Sequence, residues 1–215
     1  LPGGWHCAGR TGHIGHASGA YGGVAPAERM DPSCLPDDWW ELSSHRWRYE
    51  WAAGQWNLGR VADAACGTGY GTAILTSSGH VTTGFDASPE ACGLALAKLE
   101  RRRPGQRGGW WDVEVCDMNE EGATFQGFDT LISFETLEHL NDPEGLLRRL
   151  APSVKTLLCS APVVPTMHHN PYHKHDFTPE GFMAMIGRAG FTVVEAHFQS
   201  APTRVNVYLV VKAVR

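Results

Sequence analysis

Asp63-Ala64-Ala65-Cys66-Gly67-Thr68-Gly69 sets a carboxylate ahead of two glycines, directly after the apolar pair Val61-Ala62. A strand running into such a turn brings bare backbone close to a ligand, because neither Gly67 nor Gly69 carries a Cβ. Taken alone, the pattern describes equally well a tight strand-to-helix turn with no ligand. A second carboxylate, Asp86, closes Gly84-Phe85-Asp86, about twenty residues past the first glycine, as in nucleotide-binding α/β units. A carboxylate there can accept from both hydroxyls of a ribose, each charge-assisted bond contributing roughly 1.5–3 kcal/mol. The alternative for Asp86 is a surface residue capping the next helix, a job for which Ser88 stands better. Together the two features predict a cofactor carrying a nucleoside.

Proton-handling side chains collect further along. His139 follows Phe134-Glu135-Thr136-Leu137-Glu138, and Met167 to Phe177 contains His168, His169, His173 and His175 with Asp176. An imidazole titrates near neutrality and can take a proton from an attacking hydroxyl. For His139 the alternative is a helix-side residue that orients backbone or Glu138. The clustered histidines could hold a metal, but they show no helical or hairpin register that fixes a coordination geometry. We therefore expect no metal and read the loop first as a lid over an acceptor pocket.

These residues resemble class I S-adenosylmethionine-dependent methyltransferases. Asp63 to Gly69 is similar to that family's D-x-x-C-G-x-G loop, Asp86 matches its ribose acid, and Cys116-Asp117-Met118 falls where the adenine is contacted. Phe128 to Leu140 resembles the fourth-strand motif ending in E-H-[LIV] of small-molecule members. His45-Arg46-Trp47-Arg48-Tyr49 resembles the lead-in helix of a bacterial subgroup in which an R-Y pair lies against the cofactor's methionine end, and Asn170-Pro171-Tyr172-His173 with Phe177-Thr178-Pro179-Glu180 matches a framework segment of it. The resemblance covers roughly residues 28–215. It implies S-adenosyl-L-methionine as cofactor, held by Arg48, Asp63, Ala65, Gly67, Gly69, Asp86, Ala87, Asp117, Met118 and Phe134. Asp63 would meet the cationic amino group of the methionine moiety, directly or through water. His139 and His173 are the candidate catalytic residues, and methyl transfer to an oxygen, or else a nitrogen, of a sugar, lipid-linked glycan or natural product is the expected activity. Two alternatives remain: a binding protein that has kept the cofactor pocket without turnover, and an NAD(P)-dependent oxidoreductase. The latter's third glycine would fall at Thr72 and its fingerprint does not include Asp63.

What must position these residues is an alternation of strands and helices. Strand-like segments at 60–65, 80–85, 111–116, 130–134, 154–159, 191–198 and 205–211 predict a three-layer α/β fold: a seven-stranded, mostly parallel, Rossmann-like sheet with helices on both faces. Only residues 199–204 separate the last two strands, too few for a parallel crossover, so the last should be antiparallel. Ser88-Pro89-Glu90, Asp142-Pro143-Glu144 and Thr178-Pro179-Glu180 each begin a helix: a side-chain acceptor, a proline whose missing N–H costs nothing, then an acid at the positive dipole end. The helix at 88–103 should bury Cys92, Leu96 and Leu99, and the one at 178–189 Phe182, Ile186 and Ala189, ending at Gly190. A further helix at 38–53 should turn Trp40, Trp47 and Trp51 toward the core.

Residues 1–29, rich in glycine, read as a flexible arm ahead of one domain at 30–215; His6, Cys7, His13 and His16 within it are an incidental set. The formal net charge of -5 with 19% charged residues supplies no field for nucleic acid. The run Arg101-Arg102-Arg103 suits a helix C-terminus instead. Six cysteines without a CxxC pair suggest reduced thiols and a cytoplasmic setting, and no apolar run or basic-then-apolar leader suggests a membrane.

Overall fold

The computed structural model describes residues 40–101, 109–200 and 207–215. The glycine-rich arm, its histidines, and Arg102, Arg103 and Arg107 lie outside them. The elements run α1 (Trp40–Ala53), β1 (Arg60–Ala64), α2 (Tyr70–Ser77), β2 (Val81–Asp86), α3 (Pro89–Glu100), β3 (Trp111–Val115), β4 (Thr130–Phe134), a 3-10 turn (Leu137–His139), α4 (Pro143–Leu150), β5 (Thr156–Pro162), α5 (Pro179–Arg188), β6 (Thr192–Ser200) and β7 (Val207–Val214).

The seven strands form one sheet in the order β3-β2-β1-β4-β5-β7-β6. Pairings β1/β2, β1/β4, β2/β3 and β4/β5 are parallel, whereas β7 runs antiparallel to both β5 and β6. The reversed last strand is therefore as expected, and it inserts between β5 and β6, leaving β6 at the edge. Strand order reverses beside β1, with β2 on one side and β4 on the other, and open α/β sheets bind ligands in the crevice at such a switch point.

Alternation along the central strands builds a separate core on each face. Ala62, Ala64, Leu131, Leu157, Cys159, Leu209 and Val211 pack against α4 and α5 through Leu146, Leu147, Leu150, Phe182 and Ile186. Val61, Ile132, Phe134, Leu158 and Val210 point the other way, against Tyr49 and Ala52 of α1 and Leu75 of α2. The three capped helices start where the sequence says. The Ser88, Asp142 and Thr178 side chains accept from the backbone N–H of Ala91, Gly145 and Gly181, with proline at the first helical turn in each. Cys92 and Leu99 are buried on α3 and Phe182, Ile186 and Ala189 on α5, and Gly190 takes the left-handed conformation at φ 99°. Leu96 is half-buried against its neighbours.

α1 departs from expectation. Its buried side is Ser44, Arg48, Tyr49 and Ala52, whereas Trp47 is exposed. Trp47 lies parallel to Trp51 at 6.1 Å between ring centroids, and His197 of β6 meets both rings edge-on. Trp51 Nε1 donates to Glu195. Trp51 is half-buried against the core, Trp47 lies outside it, and the pair clasps the edge strand, while the Trp40 side chain lies outside the described residues.

Candidate functional site

A cavity of about 740 Å³ opens at the carboxyl ends of β1, β2 and β4. Its floor at the β1 end is Ala65, Cys66 and Gly67; Asp86 ends β2 and Ala87 follows it, and Cys116, Asp117 and Met118 follow β3. Phe134 and Glu135 border it at the end of β4, α1 contributes Ser44, His45, Arg48 and Tyr49, and His139, Tyr172, His173 and Lys174 close the far side. Ten of the twelve sequence-predicted residues meet there: Arg48, Ala65, Gly67, Asp86, Ala87, Asp117, Met118, Phe134, His139 and His173. Asp63 and Gly69 stand behind the wall.

Asp86 is nearly buried, and its carboxylate folds back on the glycine turn. Oδ2 accepts from Gly67 N at 3.0 Å and Oδ1 from Ser88 N at 2.9 Å. These bonds use two of the roughly four acceptor sites of a carboxylate. A Cβ placed on Gly67, whose φ is 56°, would meet no protein atom within 4 Å, so the turn stays bare where it borders the cavity. Gly69, at φ 76°, does different work: a Cβ there would come within 2.6 Å of the Ala95 Cβ. It lets α3 lie against the turn.

Asp63 is fully buried and points away from the cavity. Its carboxylate accepts from Tyr49 Oη at 2.9 Å and from Thr72 Oγ1 at 2.6 Å. Burial, opposed by those two bonds and reinforced by Asp86, raises its pKa from 3.8 to about 6. The acid therefore acts through Tyr49, which does line the cavity, and ties α1 to β1 and α2. Motif spacing could not separate this role from direct contact, because the intervening phenol comes from a helix that precedes the motif.

Among the described residues Arg48 is the largest fully buried side chain. Its Nη1 pairs with Glu135 Oε1 at 2.8 Å and donates to Ser160 Oγ at 3.3 Å, its Nε donates to Gln199 Oε1 at 2.7 Å, and Tyr208 lies 4.4 Å beneath the guanidinium. Among the described residues Nη2 has no partner. Ser160 donates in turn to Glu135 Oε1 at 2.7 Å. Desolvation raises the Glu135 pKa against the pull of Arg48. Glu135 (φ 52°) and Ala65 (φ 58°) both adopt left-handed backbone without being glycine. Such conformations concentrate where surrounding structure over-determines them, commonly at functional sites. Glu135, His45 and Tyr208 were given no role from sequence, whereas Tyr49 was read as half of the R-Y pair.

At the far end, His139 Nδ1 lies 3.2 Å from the Tyr172 carbonyl. A carbonyl only accepts, so the neutral ring carries its proton on Nδ1 and its lone pair on Nε2, which stands 3.8 Å from Glu138 Oε1. His173 meets His139 edge-on at 4.7 Å between centroids. Burial depresses the pKa of both rings, that of His173 to about 4 with His139 and His169 contributing. Glu138, His139 and His173 each bring one donor atom within 4.8 Å of the others, the one such grouping among the described residues. The remaining loop histidines diverge: His168 and His169 contact each other, and His175 bonds the Leu140 carbonyl and stacks on Phe177. His45, by contrast, is held well inside α1 against the Tyr70 hydroxyl, and burial with Arg48 nearby lowers its pKa to about 3.

Among the described residues Cys66, Cys92 and Cys159 are free buried thiols. No helix among the described residues is long and apolar enough to cross a membrane.

The comparison with known proteins agrees with this geometry. A family described as "Methyltransferase domain" matches residues 62–156, from β1 to the start of β5. Over that span the chain is similar to methyltransferase domains. In the order of the sheet and the reversed β7 it has the Rossmann-like methyltransferase fold. The ubiquinone biosynthesis O-methyltransferase of Paracidovorax citrulli is 32% identical over 143 residues, covering 61% of this chain and 58% of the relative. That of Bordetella avium is 31% identical over 145 residues, with the same coverage. The chain thus spans somewhat under two thirds of the length of those relatives. Among solved structures, N-methyltransferase NodS from Bradyrhizobium japonicum, in complex with S-adenosylhomocysteine, superposes with a TM-score of 0.68 at 16% identity, covering 87% of this chain and 93% of its own. Magnesium protoporphyrin IX methyltransferase from Synechocystis PCC 6803, also with S-adenosylhomocysteine, gives 0.65 at 19%, covering 80% and 82%. These matches favour a methyltransferase over the dehydrogenase alternative.

Proposed function

We propose that this protein uses S-adenosylmethionine to methylate an oxygen of a small-molecule acceptor. The observation that carries the reading is the division of one cavity into two ends: a nearly buried ribose-type carboxylate on a bare glycine turn, and a pair of imidazoles across from it. The names of the relatives support oxygen as the receiving atom. Asp86 would hold the ribose hydroxyls, Asp117 and Met118 the adenine, and Ala65 and Gly67 the backbone side of the nucleoside. The free Nη2 of Arg48 and the hydroxyl-anchored Tyr49 suit the carboxylate and ammonium of the methionine end.

When bound, S-adenosylmethionine supplies a methyl group already activated on a sulfonium. What remains for the chain is orientation, an effect able to contribute up to about 7–11 kcal/mol, and removal of a proton. His139 has its Nε2 lone pair fixed by the Tyr172 carbonyl and can take the acceptor's hydroxyl proton, leaving an imidazolium that Glu138 stabilises. The lid loop and α1 shape the acceptor end, and the acceptor is a small metabolite, not a polyanion, given the net negative chain.

Calorimetric titration with S-adenosylhomocysteine tests the cofactor half. Wild type should bind and Asp86→Ala should bind at least tenfold more weakly. Equal affinity, or no binding to wild type, sinks the assignment. Consumption of S-adenosylmethionine with a panel of phenols and sugars tests the transfer half.

A further inference from the structure

Thr166, just after β5, is buried, although the loop that it begins is largely exposed. Its Oγ1 lies 2.6 Å from His173 Nδ1. Asp176, ten residues on, gathers three donors on one oxygen: Thr166 N at 2.7 Å, Met167 N at 3.0 Å and Thr166 Oγ1 at 3.4 Å. The two backbone bonds pin the carboxylate beside the hydroxyl, and an ionised carboxylate only accepts. A hydroxyl has one proton to give. If it goes to Asp176, the oxygen turns a lone pair toward His173, whose Nδ1 must then be the N–H.

We propose that Thr166, held by Asp176, is a positioning residue that fixes His173 as the Nδ1–H tautomer and leaves its Nε2 as a lone-pair nitrogen. The assignment rests on the methyltransferase reading only for its use: His139 is locked in the same tautomer by a different loop atom, the Tyr172 carbonyl. The pair then presents two imidazole acceptors set edge to edge. A hydroxyl proton entering from the acceptor can be taken by either ring, forming N–H as O–H breaks, with the charge left on the imidazole pair. Both tautomers are dictated by one loop, so the lid sets the protonation pattern of the site as well as covering it. A ring turned the other way would offer N–H to the incoming hydroxyl and hold its proton in place.

The test is a long-range proton–nitrogen correlation spectrum of the full chain labelled with 15N-histidine, recorded with and without S-adenosylhomocysteine. His173→Gln assigns the signals. In wild type the His173 pattern should show Nδ1 protonated and Nε2 bare. Thr166→Ser keeps the hydroxyl and should keep the pattern; Thr166→Val removes it and should shift the population toward Nε2–H, as should Asp176→Asn, whose amide can donate. An Nε2–H ring in wild type, or an unchanged ring in Thr166→Val, overturns the proposal. The wild-type spectrum decides even if a variant fails to fold. Absence of S-adenosylhomocysteine binding with an Nδ1–H ring would overturn the proposed activity and leave the positioning role standing.

Discussion

Replacing Asp63 by asparagine separates an anchoring acid from a ligand-binding one. In the folded protein burial lifts its pKa from 3.8 to about 6, a difference equivalent to about 3 kcal/mol between its protonation states. The folded state holds the proton more tightly than the unfolded chain. Its contribution to stability is therefore complete below about pH 4 and is lost as pH rises through about 6. Asp63→Asn has no such proton, and an amide of the same shape can still accept from one of Tyr49 and Thr72 and donate to the other's oxygen. Relative to the variant, wild type should thus lose about 3 kcal/mol between about pH 4 and pH 7, while every other titrating group cancels in the difference. Urea unfolding followed by tryptophan fluorescence at several pH values measures it. A difference independent of pH would refute the burial argument. The same variant should lose far less affinity for S-adenosylhomocysteine than Asp86→Ala. Comparable loss would mean that Asp63 touches the ligand.

Gly69→Ala forces a side chain into a left-handed backbone against Ala95, which costs about 3 kcal/mol from strain and overpacking; thermal unfolding should fall by roughly 10 °C. His139→Gln removes the proposed base and should lower kcat by about 10²–10⁴ with S-adenosylhomocysteine affinity nearly unchanged; steady-state kinetics with a productive acceptor would expose an unaltered kcat and discard the role.

Local chemistry was the legible part of the sequence. Ser88, Asp142 and Thr178 announce their helices because a cap, a proline and an acid act within one turn. The short 199–204 connection dictated the reversal of β7. The glycine-turn end of the cavity was equally readable, since Gly67 follows β1, Asp86 ends β2, and strand ends converge in a parallel sheet. What escaped were partnerships made across layers. Arg48 joins Glu135, just past β4, to residues of β5, β6 and β7, and a buried arginine has no signature until its acid partner is known. Tyr49 meets Asp63 only once α1 packs on β1 and α2. The tryptophans of α1 misled for the same reason: helical spacing names a face, but the inward face here is occupied by a paired cation.

That arrangement leaves Trp47 and Trp51 on the same helix as the cavity wall, one on each side of Arg48 along the chain, with Trp47 open to solvent and His197 against both rings. The protein carries an intrinsic optical gauge on the outside of its own binding site, so a shift of α1 on ligand entry can be followed by emission without attaching a dye.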